Sequence, residues 1–286
     1  MRVLLIALLS LLLPAASAGA AELSGTLKKI KESGAIALGH REASYPLSFL
    51  DEAGQPVGYS VDLCLRIVGA VKDKLGLDDL QVTFVPVTPE TRLAALADGR
   101  IDIECGSTTN TLSRQEQVDF TYITFVSGAK LLVRKDSGIE DFGGLADKKI
   151  ALATGTTTDR GVKSVLERTG ISAEVMNVTD HDEGFQALKD GRVDAYISDH
   201  ILLLGLRDKA ETPGDFAIVG KFLSYEPYGL MVRRDDSAFR LVANRTLSGL
   251  FKSDEITKIY VKWFGPLGLK PGELLRAAVK LQSFPE

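Results

Sequence analysis

The sequence predicts an α/β protein of two lobes built on one plan, and three observations carry that reading. Segments alternating apolar and polar residues take turns with segments of helical period along most of the chain. Ala95-Leu96-Ala97-Asp98-Gly99-Arg100-Ile101-Asp102 is echoed by Ala187-Leu188-Lys189-Asp190-Gly191-Arg192-Val193-Asp194, each a helix end, a glycine cap and a strand start. Twice a strand runs into a hydroxyl-rich loop, at Gly106-Ser107-Thr108-Thr109-Asn110 and at Thr154-Gly155-Thr156-Thr157-Thr158.

In order, Leu27 to Lys31 reads as a short helix ending near Gly34, and Ala35 to Gly39 as a strand followed by His40-Arg41-Glu42. A turn cluster at 51–56 precedes a helix from Tyr59 to Val71, with apolar spacing at Val61, Leu65, Val68 and Ala70-Val71. Gln81 to Val87 is a strand, and Pro89 to Ala97 a helix carrying Arg92 and ending at Gly99. Ile101, Ile103 and Cys105 alternate with Asp102 and Glu104, giving a strand. Ser113-x-x-Glu116 fits a capping box, so a helix is expected to restart there.

Strands follow at Lys130 to Val133, Lys149 to Ala153, Glu174 to Val178 and Val193 to Ile197. Helices alternate with them at Asp159 to Arg168, His181 to Leu188 and Ile201 to Asp208. Leu230 to Val232 is a further strand, Ala238 to Leu250 and Glu255 to Phe264 are helices, and the tail after Pro266 is irregular.

Residues 1–21 read as a secretory signal: Arg2, an apolar run from Val3 to Leu13, then small-residue cleavage sites around Ala16 to Ala20. The run is too short to span a bilayer. The full chain carries −4; without Arg2 it has 33 basic and 38 acidic side chains, or −5. A mildly acidic chain with no basic tract argues against a nucleic-acid partner. Two cysteines, Cys64 and Cys105, allow one disulfide or two buried thiols after export. No CxxC or metal-ligand cluster stands out, so neither a metal nor a cofactor is expected.

In open α/β sheets, ligands lie beyond the carboxyl ends of strands, and Arg41, Ser107 and Asp199 all follow predicted strand ends. A free amino acid needs an anion for its ammonium and a cation with donors for its α-carboxylate. Asp199 can meet the first need, unless it merely caps the helix at Ile201. Arg114 can meet the second, unless it is only solvated; Ser107 and Thr109 can fill remaining hydrogen bonds. Arg41, Arg92 and His181 sit at other loop edges, as surface groups or as contacts to a second carboxylate on the ligand. A neutral side chain beside buried arginines would leave their charge unpaired, which favours glutamate or aspartate over glutamine. Glu42 and Glu104 read as solvated or capping carboxylates.

His40–Glu42 (HRE), Gly58–Cys64 (GYSVDLC), Glu104–Asn110 (ECGSTTN), Ser113–Gln115 (SRQ), Thr154–Thr157, Asp180-His181 and Tyr228–Asp236 (YGLMVRRDD) occur in the order of a known family. Over essentially the whole mature chain, the sequence resembles the periplasmic glutamate/aspartate-binding proteins of polar-amino-acid ABC importers. That resemblance implies a two-lobed periplasmic-binding-protein fold (type II-like) closing about two hinge strands, near Tyr122–Val126 and Ser224–Gly229. Lobe 1 is expected at 22–124 plus 228–286 and lobe 2 at 125–227. By the same resemblance, Arg114 holds the α-carboxylate, Asp199 the ammonium, Ser107 and Thr109 supply loop contacts, and Arg41, Arg92, Thr156 and His181 meet the side-chain carboxylate. One departure is Pro89, where close relatives can carry a serine.

A monomer delivering its ligand to a membrane permease is the expected arrangement. The rival readings are an exported dehydratase on the same fold and an amino-acid sensor, including one for a neutral ligand such as glutamine. Against an enzyme, no Ser-His-Asp, Cys-His or P-loop set appears at telling spacing.

Overall fold

The computed structural model describes residues 22–285. The signal segment expected at 1–21 lies outside the described residues. The strands, in chain order, are β1 (Ala35–His40), β2 (Ala43–Ser44), β3 (Ser48–Leu50), β4 (Pro56–Val57), β5 (Gln81–Pro86), β6 (Ile103–Glu104) and β7 (Val118–Ser127). They continue with β8 (Ala129–Arg134), β9 (Lys148–Ala153), β10 (Ala173–Val178), β11 (Ala195–Asp199), β12 (Phe216–Val219) and β13 (Glu226–Arg233). The helices are α1 (Gly25–Ser33), α2 (Tyr59–Leu75), α3 (Arg92–Ala97), α4 (Leu112–Gln115), α5 (Thr157–Thr169), α6 (His181–Lys189), α7 (His200–Asp208), α8 (Ser237–Lys252), α9 (Glu255–Phe264) and α10 (Glu273–Leu281).

Two mixed sheets organise the chain, ordered β5-β1-β6-β13-β7 and β10-β9-β11-β8-β12. In each, four strands run parallel and one, β13 in the first sheet and β8 in the second, runs antiparallel to them. The internal echo has a shared structural cause. Gly99 and Gly191 both take left-handed backbone, at φ 76° and 69°. Each then admits an aspartate whose side chain accepts from the first residues of the neighbouring strand, Asp102 from the Ala37 N–H and Asp194 from the Lys149 N–H, both at 2.9 Å. A short sequence unit thus starts the central strand of either sheet.

The chain leaves the first sheet along β7, turns at Gly128 into β8, and comes back from β12 into β13. β7 and β13 pair antiparallel from Glu226↔Ser127 to Arg233↔Val118, with register shifts around Gly229. A Cβ on Gly128 would run into the Ser224 carbonyl oxygen, so the two crossings approach more closely than any other residue permits. β7 is longer than the sequence signals, because its burial does not alternate strictly along its length.

One core packs α1, α2, α8 and α9 on the first sheet through Leu27, Ile30, Tyr59, Ile67, Phe239 and Phe264. The α2 face is Val61, Cys64, Val68, Val71 and Leu75, spaced three and four apart. Leu65, read in the sequence as part of that face, is instead 42% exposed. Cys64 joins Cys105 in a disulfide with Cα atoms 6.1 Å apart, tying α2 to the loop after β6. On the second sheet, Leu132, Phe185, Leu188 and Tyr196 pack one face, and Leu131, Ile150, Leu152 and Val162 the other.

Three local expectations are corrected. The helix around Arg114 is capped by Thr111, whose hydroxyl accepts from the Arg114 N–H at 3.2 Å, and Glu116 closes the helix rather than forming a capping box. Pro89 and Glu90 lie in a turn, and α3 begins only at Arg92. The irregular tail contains α10, which follows Pro271 and Gly272 and buries Leu275. Among the described residues, no helix is long and apolar enough to cross a membrane.

Candidate functional site

The carboxyl ends of the parallel strands from both sheets converge. β1 delivers Arg41, β5 leads to Arg92, and β6 opens into the 106–110 loop. From the second sheet, β9 leads to Thr156, β10 to His181, and β11 ends at Asp199. Arg41, Arg92, Ser107, Thr109, Thr156, His181 and Asp199 line one small cavity, together with Thr157, Thr158, Ser198 and Leu202. Arg114 lies beside it and bridges the two loops: its guanidinium donates to the Thr109 carbonyl at 2.8 Å and the Gly155 carbonyl at 3.1 Å.

The loops meet at Gly155. Its φ is +80°, and a Cβ would lie 2.8 Å from the Pro89 carbonyl oxygen. Glycine is therefore demanded twice there, by backbone conformation and by close approach. Pro89, the departure noted in the sequence, supplies the surface that this glycine meets.

Arg41, Arg92 and Arg114 are only 1%, 2% and 2% exposed. Burial lowers the pKa of Arg41 to about 10, and Arg92 beside it pushes the same way. Arg114 is lowered to about 9 by burial, then by Arg92 and Arg160. Burial lowers Arg92 as well, and its charge repels those of Arg41 and Arg114. Arg41 Nε and Nη1 and Arg92 Nε are buried without a hydrogen-bond partner in the protein. Buried charged donors of this kind are expensive unless something meets them.

The expectation of a plain surplus of positive charge is corrected by two carboxylates. Glu104 is fully buried rather than solvated; its Oε2 accepts from the Thr108 hydroxyl at 2.8 Å, and its charge favours the cationic forms of Arg41 and Arg92. Glu226, buried at the start of β13, accepts from the Thr109 and Thr157 hydroxyls. Three arginines are thus set against Asp199, Glu104 and Glu226. The positive character is local, on the side of the cavity where Arg41 and Arg92 lie. Nothing in the sequence pairs Glu226 with these arginines, since it is more than a hundred residues from each, and the spacing of Glu104 from Arg92 and Arg114 fits no helix or strand pairing.

His181 is buried against Tyr196, whose hydroxyl lies 2.6 Å from Nδ1. Burial and the charges of Arg41 and Arg92 hold its pKa well below the ordinary value, so the ring is neutral. In the tautomer in which Tyr196 donates to Nδ1, the ring proton sits on Nε2 and that atom is a donor; in the other, Nδ1 donates to the Tyr196 oxygen and Nε2 accepts. Thr156 is committed locally: its hydroxyl donates to the Ala153 carbonyl and accepts from the Asp159 N–H, capping α5. Its neighbours Thr157 and Thr158 turn their hydroxyls to Glu226 and Asp199 instead. The run of three threonines hides this difference in the sequence.

Asp199 sits at the N-terminus of α7 but makes no capping hydrogen bond with its side chain. Its carboxylate accepts from Thr158 at 3.3 Å and, through a short bond, from Tyr228. Burial and then the Glu226 charge raise its pKa to about 7. An ammonium placed beside it would favour the ionised form and lower that pKa, so binding releases a proton. The sign follows directly: affinity for an ammonium ligand falls as pH drops below about 7. Calorimetry of amino-acid binding at pH 6.5 in buffers of different ionisation enthalpy should read release of roughly half a proton or more, and Asp199→Asn should abolish the slope.

Among the described residues, no cluster of His, Cys, Asp or Glu is placed to hold a metal ion. The arrangement suits recognition of a small zwitterion: cations and neutral donors on one side, an anion with tethered hydroxyls on the other.

The chain is similar to several known proteins. The chain is 45% identical over 244 residues to an L-glutamate/L-aspartate-binding protein of Pseudomonas aeruginosa, covering 85% of this chain and 81% of that one. It is 41% identical over 239 residues to the glutamate/aspartate import solute-binding protein of Escherichia coli, covering 84% and 79%. Among solved structures, an ancestral arginine-binding protein bound to arginine superposes with a TM-score of 0.71 at 35% identity, covering 81% of this chain and 99% of that one. Residues 36–266 match the bacterial extracellular solute-binding proteins, family 3, and the chain belongs to that family.

Proposed function

We propose that the protein captures L-glutamate and L-aspartate in the periplasm and delivers them to the membrane permease of an ABC importer. The observation that carries this reading is the pair Arg41 and Arg92, buried together with guanidinium nitrogens that no protein group meets. A side-chain carboxylate is the ligand group whose charge and geometry match them. The α-carboxylate is assigned to Arg114 with the 107–109 loop, the ammonium to Asp199, and a further donor to the side-chain carboxylate to His181. Neither Thr156, whose hydroxyl is committed to the α5 cap, nor Thr157, whose proton goes to Glu226, has a hydroxyl proton left for that carboxylate.

Closure follows from where these groups reside. Lobe 1 is taken as 22–124 with 228–286 and lobe 2 as 125–227, hinged where β7 and β13 cross. Arg41, Arg92, Ser107, Thr109 and Arg114 then face Thr156, Thr157, His181 and Asp199 across the cleft. A ligand touching both sides stabilises the closed state by its differential affinity for it, and the closed form is what a permease reads. The relatives are named as binding proteins, which does not favour the dehydratase alternative.

Titration calorimetry with L-glutamate, L-aspartate and L-glutamine tests the proposal. Strong binding of the two acidic ligands, with glutamine weaker by about 100-fold or more, is the expected result. Glutamine binding as well as or better than glutamate would contradict it.

A further inference from the structure

We propose that Glu226 is a positioning residue: it takes the protons of the Thr109 and Thr157 hydroxyls and thereby presets both as acceptors for the ligand's ammonium. This rests on the proposed function only in taking the ligand to be an amino acid.

Glu226 is 3% exposed and lies behind the cavity rather than in its lining. Its Oε2 accepts from Thr109 Oγ1 at 2.6 Å and from Thr157 Oγ1 at 2.7 Å, while those two hydroxyl oxygens lie 3.5 Å from each other. Thr109 comes from the loop after β6 in the first sheet, and Thr157 opens α5 on the second. One carboxylate oxygen therefore ties together threonines from opposite sides of the cavity.

A hydroxyl has one proton and two lone pairs. Here each proton goes to an anionic oxygen in a short, charge-assisted bond, which is hard to exchange for a neutral partner. What each threonine then shows the cavity is lone pairs only. Asp199 is an acceptor on the same cavity, with Tyr228 and Thr158 donating to it. Two hydroxyl oxygens and a carboxylate match the three N–H donors of a primary ammonium. A ligand lacking that ammonium would leave lone pairs facing it unmet. Glu226 also brings a negative charge near enough to Asp199 for the two to repel, a repulsion that an ammonium between them would relieve.

The test compares L-glutamate with glutarate, which keeps both carboxylates and lacks the ammonium, by titration calorimetry on the wild-type protein and on Glu226→Gln. A glutamine side chain donates as well as accepts, so it no longer fixes the direction of the hydroxyls. Glu226→Gln is expected to weaken glutamate by about tenfold or more while leaving glutarate unchanged or tighter. A merely structural role for Glu226 would lower both by the same factor, and that outcome would overturn the proposal.

Thr157→Val, alone and combined with Glu226→Gln, gives an independent reading. If Glu226 acts through the threonines, the second substitution should add little to the first; penalties that simply multiply would overturn the proposal. Should the wild type bind no glutamate, the proposed function fails by itself. The same comparison then runs with L-glutamine against glutaramate, its counterpart without the ammonium.

Discussion

Arg114→Ala should abolish measurable binding of every amino acid, acidic or neutral, a loss of about 10²–10³-fold or more. Its guanidinium is buried and already donates to the Thr109 and Gly155 carbonyls, which fixes the plane of the fork. A carboxylate meeting the remaining donors gains two parallel charge-assisted bonds in a site largely shielded from water. Truncation removes those bonds together with the bridge between the two loops. Arg114→Lys should rescue little, because an ammonium is a point charge and cannot hold both carbonyls and a carboxylate at once. Titration calorimetry with glutamate and glutamine checks this; retention of either ligand within tenfold of wild type would remove the assigned role.

Arg92→Met should discriminate between ligands. Glutamate affinity is expected to fall by about 100-fold, with glutamine changing by less than about threefold. Among the described residues, the side chain's one hydrogen bond to the protein is a long one, 3.4 Å to the Ser107 carbonyl, so little else depends on it. Its charge also presses on Arg41, Arg114 and His181. Removing it should therefore let the His181 pKa rise toward the ordinary imidazole value, visible in a proton NMR titration. Equal losses for glutamate and glutamine would mean that Arg92 shapes the cavity without reading the side chain.

These two arginines also show how far the sequence could be followed. Arg41, Ser107 and Asp199 were legible because strand alternation and helix periods place strand ends, and strand ends place ligands in open sheets. The echo around Gly99 and Gly191 was legible because a left-handed cap followed by an aspartate solves the same problem, starting a parallel strand, in both sheets.

What stayed hidden depends on long-range partners. Glu104 reads as an ordinary strand carboxylate until the fold sets it near Arg41 and Arg92. Glu226 meets Thr109 across a separation of 117 residues. In the 156–158 run, three identical side chains divide into a helix cap and two groups tethered to buried carboxylates, and only the backbone path into α5 decides which is which. The tail helix α10 escaped because its apolar face is largely exposed, with Leu274 at 62% and Leu281 at 76%.

The most direct measurement is a crystal structure of the protein with L-glutamate. The ligand's side-chain carboxylate should lie within hydrogen-bond distance, about 2.7–3.2 Å, of the Arg41 and Arg92 guanidinium groups, with its ammonium on Asp199. A bound glutamate whose side chain turns away from both arginines, leaving them facing only Glu104, would contradict the acidic-ligand assignment.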